Sequence, residues 1–203
     1  MTPAGPGTLP LATRLVVTLA GRGETVAVAE SLTGGLLAAA LVEVPGASAV
    51  FRGGIVAYAT DLKATLLGVP GELLDRHGAV HPDVAAAMAD GVRARLNATF
   101  GLATTGVAGP DPADGQPAGT VFIAVSRERG AQPRGLRLGG GRASIREQTV
   151  VMSLKQLAGM LEDSDIGASS RREEDRRLQC YVLSEHSDAR SRGLSVRTGT
   201  VET

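Results

Sequence analysis

Apolar and polar positions alternate between two periods along most of this chain, and the switches between them mark the elements. Leu9–Ala20 has apolar residues at helical spacing, and Gly21 and Gly23 punctuate its end. Thr25–Ala29 is a short apolar run of strand type, and after the turn Glu30–Gly35 the run Leu36–Val44 reads as a helix. Pro45 to Ser48 form a loop, and Val50–Tyr58 has strand character, with Gly53 and Gly54 inside it implying a bulge or a close backbone approach. Thr60 and Asp61 cap a short helix that Gly68 and Pro70 stop after Leu67, and a second short helix runs from Gly71 to His77. Pro82 stands at a first helical position before the long helix Asp83–Leu96. Strands are predicted at Leu102–Thr105, Thr120–Ser126 and Leu136–Leu138, with a Pro/Asp/Gly loop over 110–119. After the turn at Gly139 to Gly141, Ser144 leads a last helix, Ile145–Leu161.

Strands alternating with helices predict a layered α/β domain over residues 9–162. Residues 1–8 read as a disordered leader. Residues 163–203 are rich in Arg, Ser, Asp and Glu with little apolar periodicity, and read as a disordered tail in which Leu178–Leu183 could form one turn or strand.

Composition narrows the chemistry. With no Trp, three Phe and two Tyr among 203 residues, the core must be aliphatic. A formal net charge of zero gives no bulk electrostatic case for nucleic acid or an anionic membrane surface. One Cys (Cys180) excludes an internal disulfide, and the three histidines (His77, His81, His186) have no metal-site spacing. No apolar run approaches a membrane span and no signal peptide is evident, so a cytoplasmic location is expected. Against nineteen Arg the chain has only Lys63 and Lys155, and lysine, unlike arginine, can lose its proton and act as a base.

The turn Glu30-Ser31-Leu32-Thr33-Gly34-Gly35 joins a strand to a helix with hydroxyls and glycines, the ingredients of an anion seat built from free N–H groups. A capping turn, with Ser31 or Thr33 as N-cap, is the plain alternative. Four features then align: this turn, Ser48 in its loop, the pair Tyr58 and Lys63, and the strand end Thr104-Thr105-Gly106-Val107-Ala108-Gly109-Pro110.

With AESLTGGLLAAALVEVPGASAVFRGGIVAYATDLKATLLGV, HGAVHPDVAAAMADGVRARL, TTGVAGP and PAGTVFIAV in collinear order over residues 9–160, the chain resembles the CinA C-terminal domain family, whose characterised members are nicotinamide mononucleotide deamidases. The larger members' N-terminal molybdopterin-binding-like domain is not expected here, the loop Asp111 to Pro117 is poorer in glycine than the family pattern, and the tail lies outside the resemblance. The resemblance implies a three-layer α/β/α sandwich with a mixed, mostly parallel five-stranded sheet. It also implies hydrolysis of the nicotinamide mononucleotide carboxamide to nicotinate mononucleotide and ammonia, with no metal or organic cofactor. The partner is then a pyridine nucleotide, not nucleic acid or membrane; the residues leave a homo-oligomer open.

Amide hydrolysis needs a nucleophile, a base that later protonates the departing ammonia, and donors for the oxyanion. With no His/Asp set at hand, a Ser–Lys pair is the natural candidate. Lys63, in the first turn of its helix, would have its pKa depressed by the positive helix end and by partial burial, and Tyr58 could relay or orient a proton. A solvated helix lysine is the bland alternative. If Ser31, Thr33 and the Gly34 and Gly35 amides hold the nucleotide phosphate, Ser48 is the nucleophile beside Tyr58 and Lys63; Glu30 is a further substrate-binding candidate. If the phosphate sits on Thr105, Gly106, Ala108 and Gly109, Ser31 attacks instead. Ser48 is slightly preferred. Arg142 and Arg146 are further phosphate candidates, or plain surface charge. His77 and His81 read as loop or capping residues. A non-catalytic accessory protein of competence or DNA-damage response, or a nucleotide-binding module without turnover, are the competing functions.

Overall fold

The structure, a computed structural model, describes residues 8–163. The expected leader and tail, with Cys180, His186 and the segment Leu178–Leu183, lie outside the described residues, except that Thr8 already belongs to the first helix and Asp163 closes the last. The elements are α1 (Thr8–Arg22), β1 (Val26–Glu30), α2 (Leu36–Val42), a single 3-10 turn (Ala47–Ala49), β2 (Phe51–Val56), α3 (Thr60–Leu67), α4 (Gly71–His77), α5 (Pro82–Arg95), β3 (Phe100–Gly106), β4 (Thr120–Arg127) and β5 (Gly130–Arg137). A last helix, α6, covers 142–163; the packing described here is that of the compact unit ending at Gly159.

The five strands form one mixed sheet in the order β2-β1-β3-β4-β5. β1 pairs in parallel with β2 and with β3, whereas β3–β4 and β4–β5 are antiparallel. The sheet is therefore evenly divided, not mostly parallel as expected. The reason lies in the connections: a parallel return needs a crossover of a dozen or more residues, usually a helix, and helices join β1 to β2 and β2 to β3. The 107–119 connection has no helix, and Glu128 and Arg129 alone turn β4 into β5, so the chain doubles back twice.

One face of the sheet packs on α5, which α3 and α4 cover in turn. Val84, Ala85, Met88, Ala89 and Val92 of α5 are buried against Ala27, Ala29, Ala103 and Ala124 of the strands. Small side chains on the sheet admit a close helix, and Gly101 admits it closest: a Cβ there would lie 2.1 Å from the Ala89 carbonyl oxygen. Burying Met88 or Val92 contributes roughly 1.5–3 kcal/mol each. On the other face Val121 and Ile123 pack with Ile145 and Met152 of α6, and α2 lies over β1 and β2 with α1 beside it. This is the three-layer α/β/α arrangement, and its core is aliphatic apart from Phe100.

At the β2 edge, the pairing slips between Val26 and Ala27, leaving Arg52 as the extra residue of a bulge. The expected bulge is there, and at Gly54 a Cβ would come within 2.8 Å of the Val28 Cγ2 side-chain atom across the pair. The last strand is longer than its pattern suggests. β5 lies at the open edge of the sheet and is largely exposed, so Gln132, Pro133 and Arg134 need no apolar alternation.

Candidate functional site

The carboxyl ends of the three parallel strands lie side by side. The register pairs Glu30 with Val56 on one flank and with Thr104 on the other. The next residues stay in step: the Ala57 amide donates to the Glu30 carbonyl at 2.9 Å, and the Ser31 amide donates to the Thr104 carbonyl at 2.9 Å. Ser31 is thus set between the Ala57–Tyr58 end of β2 and the Thr104–Thr105 end of β3. Crevices outside the carboxyl ends of parallel strands are where open α/β sheets bind ligands.

Glu30 is fully buried, and its carboxylate is spent inside the chain. Oε2 accepts from the amides of Gly35 (2.9 Å) and Leu37 (3.0 Å), and Oε1 from that of Ala38 (2.8 Å). These are the orphan donors of the α2 N-terminus, and the negative charge also suits the positive helix end. The anion seat read from the sequence exists, and the protein's own carboxylate fills it. Glu30 and Gly35, candidate substrate binders, satisfy each other. Gly34 and Gly35 take left-handed backbones (φ 59° and 98°), which is what the turn asks of glycine. Thr33, also fully buried, shares a 2.7 Å hydroxyl bond with Thr104. The amides of Leu32 and Thr33, by contrast, find no partner among the described residues, and neither does the Ser31 hydroxyl.

Lys63 is not a solvated helix residue: only 1% of it is exposed. Its Nζ donates to the carbonyl oxygens of Ala57 (2.9 Å) and Tyr58 (3.3 Å), with that of Ala59 at 3.5 Å. The amine therefore hangs on Ala57, the residue whose own N–H donates to the carbonyl of Glu30, just before Ser31. Burial pushes its pKa below the ordinary lysine value, partly opposed by the negative charges of Asp114 and Asp61. A lowered pKa is what a lysine base requires.

Tyr58, just past β2, is 57% exposed, and its hydroxyl accepts from Arg142 at 2.8 Å. Arg142 also donates to the Gly109 carbonyl (3.0 Å), while Arg146 reaches back to the carbonyls of Leu32 (3.0 Å) and Thr33 (2.7 Å). The two arginines near the α6 N-terminus therefore stitch both signature turns to one helix. Thr105 donates to the Ala79 carbonyl at 2.7 Å. Gly106 (φ 156°) lies where a Cβ would be 2.6 Å from the Thr120 carbonyl oxygen, and Gly109 has φ 77°. Ala108 is buried against Val121 and Ile123 and serves as core.

Ser48 does not stand beside Tyr58 and Lys63. It is exposed in the 3-10 turn that precedes β2, at the amino end of a strand whose carboxyl end carries Tyr58. Six residues of extended chain, at about 3.3 Å each, separate the two ends. The preference for Ser48 over Ser31 came from assigning the phosphate to the α2 turn, where Glu30 already sits. His81 caps α5, its Nδ1 accepting from the Asp83 amide at 3.3 Å, and stacks on His77 with ring centroids 4.1 Å apart. Asp114, which the sequence did not single out, enters the site from the 107–119 connection. Its only sequence signal is a carboxylate inside a Pro/Gly loop.

A family model described as the CinA C-terminal domain matches residues 8–161. A CinA-like protein of Frankia casuarinae is 56% identical over 143 residues, covering 70% of this chain and 33% of that protein. A putative competence-damage inducible protein of Desulforamulus reducens is 48% identical over 140 residues, covering 69% and 34%. The chain spans about a third of the length of the curated relatives it matches. Among solved structures, the competence/damage inducible protein CihA from Agrobacterium tumefaciens aligns with a TM-score of 0.76 at 38% identity, over 80% of this chain and 99% of that one. A CinA superfamily protein from Escherichia coli aligns at 0.74 and 30%, over 79% and 94%. No helix among the described residues is long and apolar enough to cross a membrane.

Proposed function

The chain belongs to the CinA C-terminal domain family, and on that premise we propose that it is an amidohydrolase that converts nicotinamide mononucleotide to nicotinate mononucleotide and ammonia. The observation that carries the reading is the position of Lys63: a buried amine of lowered pKa, held on Ala57, whose amide donates to the carbonyl of Glu30 just before Ser31 and its unpartnered hydroxyl.

In this mechanism Ser31, not Ser48, is the nucleophile. Neutral Lys63 takes the Ser31 proton as Oγ bonds to the carboxamide carbon, and the carbonyl oxygen becomes an oxyanion. The unpartnered amides of Leu32 and Thr33, just after the nucleophile at a strand-to-helix turn, are the donors for that charge. Collapse of the intermediate breaks the carbon–nitrogen bond, and the proton held on Lys63 leaves with ammonia. Water, deprotonated by the same amine, then cleaves the nicotinoyl ester and returns Ser31. Tyr58, its hydroxyl held by Arg142, orients the entering carboxamide. The phosphate falls to the remaining N–H groups of Arg142 and Arg146 and to the turn Thr105 to Gly109, because Glu30 closes the α2 end.

Ammonia release from nicotinamide mononucleotide by the purified chain, with nicotinamide and NAD as comparison substrates, tests the reading. The mononucleotide is expected to be the preferred substrate. No release above the protein-free rate, under conditions where the chain is folded, would reject the amidohydrolase assignment and favour a binding or accessory role.

A further inference from the structure

We propose that Asp114 is a positioning residue of this site: its carboxylate latches the 107–119 connection onto the Ala79 peptide and presents a negative charge to the Lys63 amine. The connection is tied at its base by backbone bonds between Val107 and Thr120 and between Gly119 and Val107, and near its start by Arg142 on the Gly109 carbonyl. Its tip is a small turn in which Ala113 and Gln116 bond to each other. Among the described residues, one bond ties that tip to another part of the fold: Asp114 Oδ2 accepts from the Ala79 amide at 2.7 Å.

The seat for this bond is specific on both sides. Asp114 takes a left-handed backbone (φ 49°), which Asp tolerates better than most residues. Gly78 (φ 71°) lies so close that a Cβ would sit 3.0 Å from Asp114 Cβ. The Ala79 peptide is then gripped twice, its N–H by Asp114 and its carbonyl by Thr105 at the end of β3. Two residues on, His81 caps α5. Asp114 therefore fixes the connection against the segment that leads into the central helix, and it does so within electrostatic reach of Lys63. The other charge acting on that amine is Asp61 of its own helix. Because Asp114 is exposed, its replacement leaves the core intact.

The bearing on turnover rests on Lys63 being the base, as argued above; the latch and the charge contact are measurable without catalysis. The chain has two lysines, so protein labelled with carbon-13 at lysine Cε gives one resonance for Lys63 and one for Lys155 as an internal reference. Asp114→Asn keeps an acceptor and removes the charge, whereas Asp114→Ala removes both. The Lys63 titration midpoint is expected to fall in both variants, since a favourable opposite charge is lost, while that of Lys155 stays fixed. Amide exchange at Ala79 should stay slow in Asp114→Asn and quicken about tenfold or more in Asp114→Ala. In Asp114→Asn the rising limb of the deamidation pH profile should move to lower pH with the Lys63 midpoint. A Lys63 midpoint unmoved in Asp114→Asn, or unchanged Ala79 exchange in Asp114→Ala, overturns the proposal. A shifted midpoint in a protein that releases no ammonia would uphold the positioning role and reject the enzymatic reading instead.

Discussion

The two halves of the sheet are built on different terms. In the parallel half, β2-β1-β3, the strand ends are ringed by buried polar groups: Glu30, Ser31, Thr33, Lys63, Thr104 and Thr105 all have less than a tenth of their surface exposed. In the antiparallel half, β4 buries an apolar strand and β5 leaves most of its length in solvent. Burying a polar group is costly unless it is bonded, and nearly every one in the parallel half is bonded to backbone or to another hydroxyl. The Ser31 hydroxyl stands apart, as expected of a group kept free for a reaction. Helical crossovers align the carboxyl ends of β2, β1 and β3 at one edge, whereas the hairpin connections send β4 and β5 back the other way.

This contrast can be broken most sharply at the serines. Ser31→Ala is expected to lower deamidation on the order of 10³-fold or more, as loss of a nucleophile does, and Ser48→Ala to leave it near native. Equal loss in both would mean that the two ends of β2 act together, contrary to the geometry of one chain. Next in size, Lys63→Arg keeps a charge but forbids a neutral amine, and should lower turnover by ~10²-fold or more, with Lys155→Arg as the harmless control. Near-native turnover in Lys63→Arg would leave Lys63 as a clamp on the Ala57 to Ala59 carbonyls and nothing more.

A smaller effect is expected in stability. Glu30→Gln replaces one acceptor oxygen by a donor facing helix amides, and should cost about 1–3 kcal/mol in denaturant unfolding. No loss would show that water can stand in for the carboxylate. Arg134→Ala, on the exposed edge strand, should change stability by less than about 0.5 kcal/mol and leave turnover alone. A large effect there would assign the antiparallel half a role in the site.

Much of this was readable in the chain. Helix caps and stops such as Pro82, Gly68 and the Gly139 to Gly141 turn bound elements close to where the structure has them, because local backbone preferences act there unopposed. Lys63 stood out as one of two lysines, and its burial sharpens that signal. Strand direction was legible too, since the helix-free stretches between the last three strands point to antiparallel returns, but the family likeness set the expectation of a mostly parallel sheet. The direction of the Glu30 side chain was hidden: period-two alternation places it on the α2 face of β1, yet nothing local says that it reaches the amides of Gly35, Leu37 and Ala38. Once it does, the anion seat at the α2 turn is closed, and the reading that favoured Ser48 loses its premise. Asp114 was invisible for a similar reason, since its partner Ala79 lies 35 residues earlier.

Arg142 joins partners far apart along the chain: Tyr58, 84 residues away, and Gly109, 33 residues away, are both held by its guanidinium. Contacts of such separation form only after the intervening loops have closed, and loop closure is the slow part of folding for sheets of mixed topology. The tethers on Tyr58 and Gly109 therefore wait on the start of α6, and the two segments they join are held to one another only once that helix is in place.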